Sequence, residues 1–89
     1  MEANAISLVN KEVQVSRYYF APHKNFKTFP KQIEVDGNRY TFAENGLRFL
    51  VRRGQQLIEL FDMTDGRNIY RLRQEAGQWT LVAIKAGTV

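Results

Sequence analysis

The side chains that could carry acid–base or metal chemistry are few in this chain of 89 residues. His23 is the single histidine, and it lies between Pro22 and Pro30. A histidine that acts as a general base or a metal ligand normally needs a neighbouring group that fixes its tautomer. The segment 21–30, APHKNFKTFP, supplies no carboxylate for this purpose. We therefore predict that His23 is a solvated loop side chain.

The carboxylates are expected to bond to the backbone or to pair with arginine. Asp36, Glu44 and Asp65 lie at turn signals, where carboxylates accept hydrogen bonds from the backbone. The predicted register places Glu59 opposite Arg71, as a cross-strand ion pair. A pair of carboxylates assembled in three dimensions, of the kind that glycosidases use, remains an alternative.

Motifs of common enzyme classes are absent from the sequence. The chain has no glycine-rich phosphate loop, no nucleophile elbow and no zinc-ligand spacing. It also has no cysteine, which excludes thiolate chemistry and cysteine-ligated zinc. We predict a protein that is not an enzyme and has no catalytic residues, metal or cofactor.

Arginine is the remaining residue type with informative chemistry. The 13 basic and 9 acidic residues give a net charge of +4, which favours anionic partners. Arginine and aromatic residues are enriched in protein interfaces, and they also bind single-stranded nucleic acid. Which of these roles is possible depends on the elements that position the arginines.

Tight turns between apolar runs are the main structural signal. The runs are rich in β-branched and aromatic residues, and residues 13–20 alternate as a strand. We predict an all-β fold, a small antiparallel up-and-down meander of six to seven strands that forms a curled sheet or a small barrel. The predicted turns are Gly37-Asn38, Asn45-Gly46, Gly54-Gln55, Thr64-Asp65-Gly66 and Ala76-Gly77.

Residues 1–89 are predicted to form a single domain. Residues 1–12 fit a helical face and a strand face equally well, so a short N-terminal helix, a strand and a frayed end are all open. Residues 21–30 are predicted to form a long loop whose Phe26 and Phe29 cover an open end of the sheet. A helix over residues 47–63 is disfavoured because Gly54 lies in its middle.

The hairpin register predicts which side chains share a face, because side chains alternate along a strand. One face carries apolar side chains without a charged interruption and is the predicted core. Its residues are Ile33, Val35, Tyr40, Phe42, Phe49, Val51, Ile58, Leu60, Tyr70, Leu72, Trp79 and Leu81.

The opposite face is predicted to bind a protein partner or a second copy of this chain. It combines arginines with an apolar cluster, in a non-enzymatic binding module. The predicted partner-binding residues are Arg39, Arg48, Arg52, Phe61, Ile69, Arg71, Arg73, Val82 and Ile84.

Two other interpretations of this arginine-bearing face are kept, and its apolar cluster is equally the place where residues 6–9 of the same chain could dock. In the first, arginines contact phosphates while Tyr18, Phe26 or Phe29 stacks on bases, so that a small β-barrel binds single-stranded nucleic acid. In the second, the arginine stems simply cover a solvated sheet.

The sequence predicts a cytoplasmic protein without membrane contact. No apolar run approaches the roughly 20 residues that span a bilayer. Residues 1–10 lack the basic start and the apolar segment of a signal peptide. The lack of cysteine is compatible with a reducing compartment.

Overall fold

The computed structural model of the protein describes residues 6–19, 29–43 and 46–87. Neighbouring strands are antiparallel, and their order across the sheet is β3-β2-β1-β7-β6-β5-β4. The strands are β1 Ile6–Tyr19, β2 Phe29–Val35, β3 Asn38–Thr41, β4 Leu47–Arg53, β5 Gln56–Thr64, β6 Asn68–Glu75 and β7 Gln78–Ala86. The predicted all-β antiparallel meander is confirmed.

The N-terminal segment is a strand rather than a helix where it is described, since β1 begins at Ile6. No helix of the described residues is long and apolar enough to cross a membrane. Phe29 and Pro30, predicted as the end of the long loop, belong to β2. The rest of that loop, with His23 and Phe26, lies outside the described residues.

The long β1 strand bends the sheet. Residues 6–13 of β1 pair with β7, and residues 14–19 pair with β2. Asn10 interrupts the first ladder with a φ of 51°, as an extra residue in a bulge does. The curled sheet brings its two ends together at one point, where the Ala43 amide donates to the Thr64 carbonyl at 2.7 Å. The strands β3 and β4 are nevertheless not neighbours, and the sheet is not closed.

The concave side of the sheet, termed the inner side, holds the core. Aromatic rings form its centre: the Phe61 and Trp79 centroids are 5.2 Å apart, and those of Phe42 and Tyr70 are 5.1 Å apart. Such tilted contacts are favourable beyond the burial of area. The buried cluster consists of Val13, Ile33, Phe42, Phe61, Met63, Tyr70, Leu72, Trp79 and Leu81.

Two predicted turns set the register as expected. Across the Gly54-Gln55 turn, Val51 lies opposite Ile58. Across the Ala76-Gly77 turn, Leu72 lies opposite Leu81. Ala76 and Gly77 have φ values of 54° and 81°, which suit the two-residue hairpin turns whose twist matches the strands.

The predicted register between β5 and β6 is wrong. Leu60 lies opposite Arg73 instead of Tyr70, a shift of three residues. An odd shift moves every side chain of β5 to the other face relative to β6. Phe61 and Met63 therefore belong to the core, whereas Phe49 and Leu60, which were predicted there, lie on the opposite side.

A longer loop after β5 causes this shift. Thr64 pairs with Ile69, so the connection is the four-residue stretch Asp65–Asn68 rather than a three-residue turn. Asp65 Oδ1 accepts hydrogen bonds from the backbone amides of Arg67 and Asn68, both at 2.9 Å. An aspartate that bonds to the backbone two and three residues ahead stabilises such a loop.

A bulge in β7 causes a second difference. Arg71 lies opposite Ala83, but the next residue, Leu72, lies opposite Leu81, so Val82 is an extra residue. The bulge turns Ile84 to the inner side, opposite Tyr70, where it packs against the core. The prediction of Ile84 as a surface residue is therefore wrong.

The turns around β3 also differ from the prediction. The first is Asp36-Gly37 rather than Gly37-Asn38, and it places Ile33 opposite Tyr40. This shift of two residues preserves the faces, and Ile33 stays in the core. The predicted pairing of β3 with β4 across Asn45-Gly46 is wrong, because β4 pairs with β5 alone among the described strands.

Ionisation of Tyr70 should lower the free energy of unfolding at alkaline pH. Burial and its hydrogen bond to Asp65 Oδ2, at 2.7 Å, raise the pKa of Tyr70 from 10.0 to about 12. A raised pKa stabilises the fold fully below pH 10, and this contribution is lost as the pH rises towards 12. Between about pH 9 and pH 11.5, we expect the free energy of unfolding of wild type to fall by about 1–2 kcal/mol more than that of Tyr70→Phe. Urea unfolding at the two pH values measures both. Equal losses in the two proteins would contradict the assignment.

Candidate protein-binding surface

The side of the sheet facing away from the core carries a second apolar area. Cross-strand neighbours share a face, so the pairs Phe49 with Leu60, and Leu60 with Arg73, continue across three strands. We term this area the outer surface. It comprises Ile6, Leu8, Leu47, Phe49, Val51, Ile58, Leu60, Asp62, Ile69, Arg71 and Arg73.

Much of the outer surface is accessible to solvent. Leu47 and Val51 on β4 are 52% and 40% exposed, and Ile6 and Leu8 on β1 are 59% and 76% exposed. Ile58 is an exception, with 5% exposure. It does not belong to the core cluster and lies on the outer side, opposite Val51. Large exposed apolar side chains that cluster on one face are typical of a contact surface.

An ion pair lies within the outer surface. Arg71 donates from Nε and from a terminal nitrogen to the two carboxylate oxygens of Asp62, at 2.7 Å each. These hydrogen bonds raise the pKa of Arg71 above its already high ordinary value. The guanidinium carbon of Arg71 is also 5.6 Å from the ring centroid of Phe49. Arg71 is thus a fixed cation over an aromatic ring.

A shallow pocket lies beside this ion pair. It has a volume of about 270 Å³ and is lined by Ile6, Asp62, Ile69, Arg71, Ala83 and Lys85. These residues come from β1, β5, β6 and β7, so the pocket lies across four neighbouring strands. The arrangement can seat an apolar side chain next to a charged or polar group.

The hairpin of β4 and β5 is apolar on both of its sides. Leu50 and Leu57 lie on the inner side and are 53% and 54% exposed, because the hairpin extends beyond the core cluster. Arg52 and Arg53, next to the turn, are also exposed. The edge of β4 that faces away from β5 has no neighbouring strand among the described residues.

The structure brings together only part of the predicted binding set. Ile69, Arg71 and Arg73 lie on the outer surface, as neighbours along β6. Phe61 is 2% exposed in the core, so its prediction as a surface contact is wrong. The half-buried Val82 occupies the bulge of β7.

The other predicted arginines are separated from this set. Arg48 and Arg52 lie on the inner side of β4, and Arg48 donates to Glu59. Arg39 on β3 donates from Nε to Glu34 Oε2 at 3.2 Å. The predicted ion pair of Glu59 with Arg71 is therefore replaced by the pairs of Arg48 with Glu59 and Arg71 with Asp62.

Phe49, Leu60 and Asp62 are surface residues that were not predicted from the sequence. A signal was available for Asp62, since a shift of three residues in the β5 to β6 hairpin places it opposite Arg71, as a cross-strand ion pair. No group of three or more residues able to hold a metal ion occurs in the part of the chain that the structure describes.

Comparisons with protein-family models, with curated proteins and with solved structures found no match to this chain. The function is therefore argued from the chemistry of the outer surface and of the β4 to β5 hairpin.

Proposed function

We propose that this protein is a non-enzymatic binding module that recognises a protein partner through its outer surface. The observation that carries the proposal is the exposed apolar row on β4 beside a fixed arginine. Leu47 and Val51 are half exposed, and Phe49 between them lies against Arg71. Aromatic residues and arginine supply much of the binding energy in protein interfaces.

The surface has the layout of an interface core with a polar border. Phe49 and Leu60 lie opposite each other in its middle and are half-buried in the free protein. Arg71 and Arg73 lie on their β6 side, and Asp62, which binds Arg71, lies on β5 two residues after Leu60. A partner that covers the leucines and Val51 would remove apolar area from water, at about 25 cal/mol per Å² before the costs of association.

Single-stranded nucleic acid is a weaker candidate for the partner. Phe29, a predicted stacking residue, packs against Phe61 with a ring-centroid distance of 5.7 Å. Tyr18 is 39% exposed and lies on Trp79, far across the sheet from β4 in the strand order. Several basic groups are already paired with carboxylates: Lys11 with Asp36, Arg39 with Glu34, Arg48 with Glu59, and Arg71 with Asp62.

Photo-crosslinking from a defined position tests the proposal. A benzophenone amino acid placed at Val51, in the native host cell, should form a covalent adduct with one specific protein. The same group at Gln14 is a matched control, because Gln14 is exposed and lies on β1, separated from β4 by three strands. We expect the adduct from position 51 only.

A charge inserted into the surface should then remove this adduct. Leu60→Asp places a carboxylate in the middle of the outer surface, which a partner would have to bury, and should abolish crosslinking from position 51. Circular dichroism and thermal unfolding of the purified variant check that it remains folded. A salt-dependent complex with labelled oligonucleotides, together with no protein adduct, would overturn the proposal in favour of nucleic acid.

A further inference from the structure

The β4 strand is an open edge of the sheet. It pairs with β5 over seven consecutive residue pairs, from Leu47 with Asp62 to Arg53 with Gln56. Its other side faces no strand among the described residues, although β3 approaches the far end of β5 through the Ala43 to Thr64 hydrogen bond. Edge strands present backbone donors and acceptors that can pair with another extended chain.

The β4 strand has no proline and no bulge, two of the features that protect an edge, although Arg48 and Arg52 point inward. It forms an unbroken ladder of seven residue pairs with β5. Its exposed apolar residues lie on both sides, with Val51 outward and Leu50 inward. Apolar residues on both sides are typical of strands whose two faces are both covered. A chain added beside β4 would cover part of this exposed apolar area.

The positive charge of β4 favours an acidic strand as its neighbour. β4 carries three arginines and no acidic residue. Arg48 is neutralised by Glu59, whereas neither Arg52 nor Arg53 lies within 4.0 Å of a carboxylate in the described part of the chain. A second copy of β4 would bring the same arginines alongside, which is unfavourable for strands in contact. An acidic strand would instead compensate them.

We propose that an extended, acidic segment of the partner protein, in which apolar and acidic residues alternate, adds as a strand to the free edge of β4. Main-chain hydrogen bonds to the edge supply affinity. The carboxylates point to the inner side of the added strand, where they lie beside Arg52. The apolar residues point to the outer side and extend the outer surface beside Val51. This inference rests on the proposed protein-binding function and specifies its mode.

The test uses the full chain and a labelled model peptide of about eight residues in which valine alternates with glutamate, a length that matches β4. We expect weak binding, with a Kd of about 10–100 µM at low salt. In hydrogen exchange followed by NMR, alternate amides of β4 should gain protection, because only every second amide points to the free edge. Peptides with lysine in place of glutamate, or with N-methyl groups along one edge, should bind at least about tenfold more weakly.

Charge reversal in the protein provides the matched control. The double variant Arg52→Glu with Arg53→Glu should weaken binding of the acidic peptide by about tenfold or more. The double variant Arg17→Glu with Arg67→Glu changes the net charge equally at exposed positions on β1 and in the loop after β5, and it should have little effect. Thermal unfolding of both variants checks that they are folded.

Three outcomes would overturn the strand-addition proposal. They are equal affinity for the N-methylated peptide, no protection of β4 amides by the acidic peptide, and a concentration-dependent dimer in sedimentation whose formation protects these amides. If any of them occurs while position 51 still crosslinks to a partner protein, strand addition fails and the proposed protein-binding function stands. If position 51 gives no adduct, the proposed function fails by itself.

Discussion

Replacing Phe61 by alanine is expected to lower the free energy of unfolding by about 3–5 kcal/mol. Phe61 is 2% exposed, and its ring contacts Trp79 and Phe29 at centroid distances of 5.2 and 5.7 Å. Alanine would leave a cavity between β2, β5 and β7, because rings on three strands converge there. A domain of this size has about 5–15 kcal/mol of stability in total, so a largely unfolded variant at 25 °C is within the expected range.

Phe49→Ala is the matched control for Phe61→Ala. The same side chain is removed from the outer side of β4, where it is half-buried and contacts Arg71 from one direction. We expect a loss of about 1 kcal/mol or less, measured by urea unfolding at constant slope. If Phe49→Ala were the more destabilising substitution, the register with Phe49 in the core would be right, and the outer surface would not exist.

The fold was predictable from the sequence because several turns carry unambiguous chemistry. Gly54-Gln55 and Ala76-Gly77 are short, glycine-containing turns between apolar runs, and such turns fix the pairing on both sides. The all-β class and the antiparallel meander depend only on the presence of these turns. They do not depend on the length of each loop.

The candidate site was not predictable in the same way, since the faces depend on loop lengths to within one residue. Thr64-Asp65-Gly66 reads as a three-residue turn, but the backbone bonds of Asp65 favour four residues. The bulge at Val82 has no proline or glycine to mark it. Each feature moves side chains by an odd number of positions, and so Phe61 and Ile84 were assigned to the wrong side.

The predicted pairing of β3 with β4 would have been electrostatically unfavourable. It would have placed Arg39 opposite Arg52, and two arginines in direct cross-strand contact repel each other. The structure avoids this contact because β3 does not pair with β4, and Arg39 bonds to Glu34 instead. The same separation leaves the edge of β4 open. The absence of pairing between β3 and β4 thus has two effects: Arg39 and Arg52 do not face each other, and β4 keeps an edge to which another strand can add.

Gly46→Ala is expected to destabilise the fold by about 1–3 kcal/mol, through overpacking at the start of the β4 to β5 hairpin. A Cβ atom at Gly46 would lie 2.5 Å from Met63 Sδ and 3.1 Å from the backbone oxygen of Asp62. Met63 is fully buried, so its sulfur cannot move out into solvent. The reduced entropy of the unfolded chain offsets about 0.4–1 kcal/mol of this cost.

A double-mutant cycle with Met63→Ala separates this clash from a general effect of alanine at Gly46. Met63→Ala alone should cost about 2–5 kcal/mol, because it leaves a cavity in the core. In that background the added Cβ has room, so Gly46→Ala should cost at least about 1 kcal/mol less than in wild type. Equal costs in both backgrounds would show that Gly46 does not lie against Met63. The start of the β4 to β5 hairpin would then not pack on the core as described, and the position of the free edge of β4 would be wrong.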